Sequence, residues 1–245
     1  MAPSHAGLIV TGTDTGVGKT VVTCALIRAL RCHGIAAVAC KPAETGCAAR
    51  GGHLHPSDGA ALRVAADDAL SLEEACPVRF AVAAAPLRAA REVGAIVDIA
   101  AMTAAVARLR QAHPFTAVEG IGGLAVPLNP ETTLLDWFRT LGLPALVVTT
   151  PRLGTLNHTW LTVHVLHAAA IPVIGLVVNR MATETDDPAV AHAVTDLAEL
   201  TRLPILGRLP EVAEPAAPAT WDRLAEHLDW QTILAGAQAP VRHAP

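Results

Sequence analysis

Short apolar runs rich in β-branched residues alternate along this chain with longer Ala- and Leu-rich segments. The runs fall at Leu8–Thr11, Ile35–Lys41, Thr116–Glu119, Ala145–Thr150, Val173–Asn179 and Ile205–Leu209. They are apolar at consecutive positions, which suits strands of a parallel sheet covered on both faces. The segments between them predict a helix from near Gly18 to Gly34, with Gly34 as its terminating residue, and further helices at Ala60–Ala66, Ile99–Gln111, Leu156–Ala170, Pro188–Leu200 and Trp221–Leu234. Each crossover has room for a right-handed connection. The expectation is a single-domain α/β fold over residues 1–235, a mostly parallel β-sheet flanked by helices on both faces, with a flexible tail at 236–245.

Between Glu44 and Asp58 no period is legible, and the segment reads as one long loop of the kind that often carries function. Residues 181–188 and 211–219 read as loops too.

Composition narrows the function classes. With 245 residues, 52% of them hydrophobic and 16% charged, the chain can bury a substantial core. Its net charge of −4 and lack of Lys/Arg runs argue against a nucleic-acid partner. Mean hydropathy is high at +0.41, but no apolar stretch approaches the ~20 residues needed to span a bilayer. No membrane association is expected, and, with Leu8–Val10 too short for a signal-peptide core, the chain is placed in the cytoplasm. The five cysteines form no C-x-x-C pair and read as reduced small hydrophobes. His53 and His55 near Asp58, and His164 with His167, are the candidate histidine metal groups, but no further ligand stands at a recognisable spacing.

The decisive segment runs Leu8-Ile9-Val10-Thr11-Gly12-Thr13-Asp14-Thr15-Gly16-Val17-Gly18-Lys19-Thr20, a strand, a glycine-rich turn and the start of a helix. Such a loop folds its amide N–H groups inward around phosphate, and the helix N-terminus adds partial positive charge. Lys19 can then reach β and γ phosphates and the Thr20 hydroxyl can ligate Mg²⁺, the pattern of a P-loop NTPase-like fold. The usual spacing would put the first glycine at position 13; here it is Gly12, followed by Thr13. Partitioning ATPases carry a second lysine five residues before the last, where this chain has Asp14.

Other residues suit the same chemistry. Lys41 and Glu119 each end a predicted strand and so belong at the carboxyl edge of the sheet, where open α/β folds bind ligands. A lysine merely solvated at a strand end is the less favoured alternative for Lys41. Thr20, Asp58 and Glu119 make an oxygen set suited to Mg²⁺, although Asp58 alone could be a loop cap. Gly154 to Asn157 open a predicted helix whose free N–H groups form a site for a carboxylate, with a plain N-cap role for Asn157 as the alternative.

The string Val10–Thr20 resembles the loop of the dethiobiotin synthetases. Further matches follow in that family's order: Lys41-Pro42-Ala43-Glu44-Thr45-Gly46, Ser57-Asp58, Val118-Glu119-Gly120-Ile121-Gly122-Gly123, Leu153-Gly154-Thr155-Leu156-Asn157-His158, and Asn179 at a later strand end. The likeness extends from about residue 8 to residue 215. It implies an ATP- and Mg²⁺-dependent cyclo-ligase of biotin biosynthesis that joins 7,8-diaminopelargonate and CO₂ into a cyclic urea, through a carbamate and a carbamic-phosphoric anhydride. Carried onto this chain, it makes Lys41 and Lys19 catalytic. Nucleotide and metal contacts fall on Gly16, Val17, Gly18, Lys19, Thr20, Val21, Asp58, Glu119 and Gly122, with Asn179, Pro210, Glu211 and Val212 at the adenine. Substrate contacts fall on Thr13, Thr45, Gly154, Thr155 and Asn157. It also implies a homodimer whose substrate pocket spans the interface, so that Gly154–Asn157 serve the neighbour's ligand. Two departures stand out: Ile121 replaces the family's usual alanine, and Ala85-Pro86-Leu87 replaces a Ser-Pro-His stretch. The alternatives are a P-loop amidoligase, whose glutaminase domain this chain has no room for, and a nucleotide-switched partitioning ATPase, against which Asp14 counts.

Overall fold

The structure, a computed structural model, describes residues 5–180 and 188–239. In chain order its strands are β1 (Ala6–Gly12), β2 (Ala37–Cys40), β3 (Ala43–Thr45), β4 (Ala48–Arg50), β5 (His53–His55), β6 (Val78–Phe80), β7 (Phe115–Glu119), β8 (Ala145–Thr149), β9 (Val173–Asn179) and β10 (Ile205–Leu209). The helices are α1 (Lys19–Cys32), α2 (Ser57–Ala65), α3 (Leu72–Ala75), α4 (Pro86–Glu92), α5 (Ile99–Ala112), α6 (Leu134–Leu141), α7 (Thr155–Ala168), α8 (Pro188–Thr201), α9 (Pro218–Ala225) and α10 (Trp230–Gln238).

Six strands form one parallel sheet in the order β10-β9-β8-β1-β7-β2. These are the six apolar runs of the sequence, and all residues of β1, β7 and β8 are buried, as a sheet covered on both faces requires. Helix α1 packs against α2, α9 and α10, and α7 packs against α8. Gly34 closes α1 as expected: its φ is +79°, and the N–H groups of Gly34 and Ile35 donate to Arg31 and Leu30.

Several expectations need correction. The segment 44–58 is not one loop, because β4 and β5 form a small antiparallel hairpin closed by Gly51-Gly52, both at positive φ, the backbone that a two-residue hairpin turn demands. Three-residue strands without apolar alternation leave no period to read. Strand β3 pairs in parallel with β6 in a second small sheet, and β2 stops at Cys40, since the Lys41 N–H turns away to the carbonyl of Ala75. The helix expected at Trp221–Leu234 is two helices. Between them Leu228 bridges to Gly207 and the Asp229 N–H donates to Leu206, so the edge strand β10 captures the chain; Asp229 then caps α10 through the Thr232 N–H. Helix α10 continues through Gly236 to Gln238, and residues 240–245 lie outside the described residues. So do 181–187, most of one expected loop; of the other, 211–217 precede α9. Helix α6 was not anticipated, although Thr133 and Asp136 form its capping box. Cys32 is exposed, whereas the other four cysteines are buried free thiols.

Gly175 shows how closely β9 meets its neighbour. A Cβ there would lie 2.5 Å from Leu206 and 2.8 Å from the Pro204 carbonyl oxygen, and a backbone oxygen cannot step aside as a side chain can. Gly175→Ala is therefore expected to destabilise the fold by about 1–3 kcal/mol, visible as a lower urea midpoint with an unchanged slope.

Candidate active site

The phosphate loop joins β1 to α1. Gly16 and Gly18 adopt positive φ, and Gly18 is the N-cap of α1 with no side-chain cap. The first-turn N–H groups of α1 are thus available to an anion. The early position of Gly12 has a steric reason: a Cβ there would come within 2.7 Å of Val17 and 3.1 Å of Lys19. Lys19 is buried and donates to the Asp14 carbonyl at 2.9 Å. Asp14 itself accepts from the Thr15 N–H and from Arg152, at 2.7 and 2.9 Å. The Val17 carbonyl accepts from the Asn179 side-chain amide at 3.0 Å.

Across the crevice, Glu119 ends β7 fully enclosed, with one carboxylate oxygen accepting from the Thr20 hydroxyl at 2.7 Å and lying 3.2 Å from the Lys41 ammonium. Lys41 also pairs with Asp58 in the first turn of α2. Burial alone would lower the Lys41 pKa, but Glu119 and Asp58 outweigh it and hold the ammonium above its ordinary value. Burial raises the Glu119 carboxyl, with Lys41 opposing. Among the described residues Lys19 has no carboxylate in comparable contact: burial pulls it down to about 8, opposed by Glu119 and reinforced by Lys41.

These groups face one cavity of about 660 Å³, lined also by Gly16, Gly18, Val21, Thr45, Ile121 and Gly122. The two sequence departures both lie on its wall, at Ile121 and at Ala85-Pro86. Glu44 shares this cavity and was not given a role from sequence. It is buried, and its carboxylate accepts from the Ser57 hydroxyl and the Asp58 and Gly59 N–H groups at 3.1, 3.1 and 2.9 Å. It thereby caps α2, whose own N-cap, Pro56, has no side chain to do so, and fixes Asp58 opposite Lys41. Its place in the Lys41–Gly46 string was the only hint available.

The oxygen atoms present fit a hard divalent ion. Thr20, Glu119 and Asp58 converge on the cavity, and the second Glu119 oxygen is buried without a hydrogen-bond partner. Two carboxylates and a hydroxyl suit an ion that keeps waters and phosphate oxygens as further ligands. Among the described residues no group of three or more His, Cys, Asp or Glu side chains is arranged to hold a metal ion, the histidine pairs included.

The remaining expected residues are placed elsewhere. Pro210 and Glu211 line a separate cavity of about 450 Å³ with Val178 and Arg208, while Val212 packs on the core without lining it. Thr13 faces a third cavity of about 610 Å³ with Leu124, Val126, Leu161 and Val165. Gly154, not Asn157, is the N-cap of α7, so the plain N-cap reading of Asn157 is corrected. Thr155 is turned inward: its N–H donates to Arg152 and its hydroxyl meets Thr149. The N–H groups of Leu156 and Asn157 then remain as the open donors of that helix start. None of Gly154, Thr155 and Asn157 lines the Lys19–Lys41 cavity.

A glycine-rich loop at a strand-to-helix turn, with lysine and threonine facing acidic strand ends, defines a nucleotide-using phosphate-loop α/β protein. Comparison with known proteins agrees. A family profile described as an AAA domain matches residues 6–219. The ATP-dependent dethiobiotin synthetase of Anaeromyxobacter dehalogenans (strain 2CP-C) is 47% identical over 204 residues, 83% of this chain and 89% of that protein. That of Thermodesulfovibrio yellowstonii is 40% identical over 236 residues, covering 94% and 98%. Among solved structures, the septum site-determining protein of Pyrococcus horikoshii, complexed with Mg-ADP, matches with a TM-score of 0.60 over 95% of this chain and 99% of that one. At 19% identity that likeness is one of fold. The chain belongs to the ATP-dependent dethiobiotin synthetase family.

The Lys19 ammonium, depressed to about 8, would regain its proton beside a triphosphate. ATP binding near pH 8 is thus expected to take up protons, and affinity to fall as pH rises through that value. Calorimetry in buffers of different ionisation enthalpy measures the uptake, and Lys19→Met should abolish it.

Proposed function

We propose that this protein is an ATP-dependent dethiobiotin synthetase, closing a cyclic urea from 7,8-diaminopelargonate, CO₂ and ATP with release of ADP and phosphate. The observation that carries the reading is the convergence of Lys19, Lys41, Thr20, Asp58 and Glu119 on one cavity in a chain 40% identical to a named synthetase over nearly its whole length.

One substrate amine takes up CO₂ and loses a proton to give a carbamate. A carbamate oxygen attacks the γ-phosphorus and ADP leaves. The neighbouring amine then attacks the carbamoyl carbon of the mixed anhydride, the urea ring closes, and phosphate departs. Charge in the phosphoryl step spreads over oxygens, so the protein contributes chiefly position and electrostatics. Lys19 serves the β and γ phosphates. Lys41 serves the carbamate and the transferring phosphoryl, and its protonation is secured by Glu119 and Asp58. Thr45, which lines the same cavity, serves as hydrogen-bond partner of the carbamate end. Asn179, which steadies Val17, stands with Pro210 and Glu211 on the adenine side.

Lys41 is already balanced by two carboxylates, so a triphosphate brought against Glu119 and Asp58 needs further positive charge. Thr20, Glu119 and Asp58 would hold Mg²⁺, which when bound supplies that charge to the phosphate oxygens. A homodimer is supported by the apolar side chains that α7 and its approach expose, Leu153, Leu156, Trp160, Leu161 and Val165. That face also carries the open N–H groups of Leu156 and Asn157, away from the Lys19–Lys41 cavity, as expected if they hold the carboxylate of a neighbour's substrate.

The test is ADP release with and without diaminopelargonate plus bicarbonate, and identification of the cyclic urea by mass spectrometry; release indifferent to both substrates would point to a switch ATPase. In that assay Lys41→Ala is expected to cut turnover by about a thousandfold, the scale of losing a charge aimed at a developing oxyanion, while calorimetry still detects ATP binding. Glu119→Gln should instead move the Mg²⁺ titration midpoint upward by about tenfold or more, and an unshifted titration would remove Glu119 from the ligand set.

A further inference from the structure

Thr149, the last residue of β8, carries a hydroxyl that meets three others. Thr13 donates to it at 3.4 Å, and the hydroxyls of Thr155 and Thr159 each lie 2.9 Å away. Thr149 and Thr159 are wholly buried and Thr155 nearly so. One hydroxyl has one proton and two lone pairs, so donating to one helix threonine and accepting from the other and from Thr13 uses the full capacity of Thr149. The helix threonines are unusual in this. Thr23, Thr103, Thr162 and Thr201 all donate to the carbonyl four residues back, the common habit of threonine in helices. Thr159, a full turn into α7, turns to Thr149 instead, as does Thr155 at the first helical position on the same face.

The cluster joins three segments: the start of the phosphate loop, the end of β8, and the first two turns of α7. Two further links run in parallel, the Thr13 N–H to the Val148 carbonyl at 3.1 Å and the exposed Arg152–Asp14 pair at 2.9 Å. Exposed pairs hold geometry weakly; a dry, saturated hydroxyl hub holds it better.

We infer that Thr149 is a positioning residue, setting the first residues of the phosphate loop against the helix start that presents Leu156 and Asn157. This rests on the synthetase reading for its consequence. The helix start of Leu156 and Asn157 is where the synthetase reading seats the substrate carboxylate, and Thr13 faces the cavity of Leu124, Leu161 and Val165 rather than that of Lys19 and Lys41, so loosening the hub is felt at the diamine before it is felt at ATP.

Thr149→Val keeps the shape of the strand residue and removes the hub. It is expected to raise KM for diaminopelargonate about tenfold, the scale of a small misplacement, with kcat and the KM for ATP within about twofold. Thr149→Ser, which restores the hydroxyl, should restore KM. Without any substrate, amide hydrogen exchange at Thr13, Thr155 and His158, whose N–H groups donate to the Val148, Arg152 and Gly154 carbonyls, should quicken together in Thr149→Val and not in Thr149→Ser. Equal KM changes for both substrates, or faster exchange confined to one segment, would overturn the inference. Should Thr149→Val fail to fold, Thr159→Val removes one spoke and is expected to move both readouts the same way by less; no movement overturns it. A wild-type protein that makes no cyclic urea would defeat the synthetase reading, whereas the exchange measurement still decides whether the clamp exists.

Discussion

The buried ammonium of Lys41, held between Asp58 and Glu119, is the constraint around which this site is built. A cation this enclosed persists only with opposite charge in contact, and removing either partner leaves an uncompensated charge in a low-dielectric place. Each member comes from a different segment. Lys41 follows β2, Glu119 ends β7, and Asp58 opens α2, where Glu44 from β3 fixes it. Because β1, β7 and β2 are neighbours in the sheet, the loop after β1 lies directly beside Glu119, and the Thr20 hydroxyl closes the ring.

Two lysines in one crevice are thus shifted in opposite directions, Lys41 upward and Lys19 downward. Lys41 has its counter-charge built in, and Glu119 and Asp58 hold its ammonium above its ordinary value. Lys19 lies in nearly as dry a place, where among the described residues the Asp14 carbonyl accepts from it and no carboxylate pairs with it, so a bound phosphate would raise its lowered pKa. The same crevice therefore holds one cation already paired with carboxylates and a second that lacks such a pairing. The unpaired second oxygen of Glu119 is the complementary feature on the acidic side.

Around this core the phosphate loop is held at several points by neighbours that sequence alone does not connect. Asn179 from β9 holds Val17, Arg152 holds Asp14, and the threonine hub holds Thr13. The consequence is a loop whose glycines permit its shape and whose neighbours select it. Helix α7 enters through the same contacts with its N-cap glycine at positive φ and an apolar, partly exposed flank. Phosphate chemistry and the α7 helix start are therefore mechanically joined although they line different cavities.

The sheet strands were legible because each is apolar on both faces, a pattern that neither loops nor surface helices share, and the loop Gly12–Thr20 was legible because phosphate binding confines its chemistry to a few residue types at fixed spacing. Lys41 and Glu119 could be placed from their strand-end positions, and Gly34 from the need for a left-handed residue at a helix end. The hairpin at 48–55, the break between α9 and α10 and the role of Glu44 were not legible, because each depends on a partner far away in sequence: a paired strand, the edge of β10, an uncapped helix. The same holds for the inward turn of Thr155 and for the opposed pKa shifts of the two lysines. Local pattern determines which segments become strands, turns and anion-binding loops, since those follow from backbone geometry and burial within a few residues. Only the packed fold decides which charges neutralise one another and which stay poised, because Coulomb energy and desolvation depend on distances through space that no local spacing encodes.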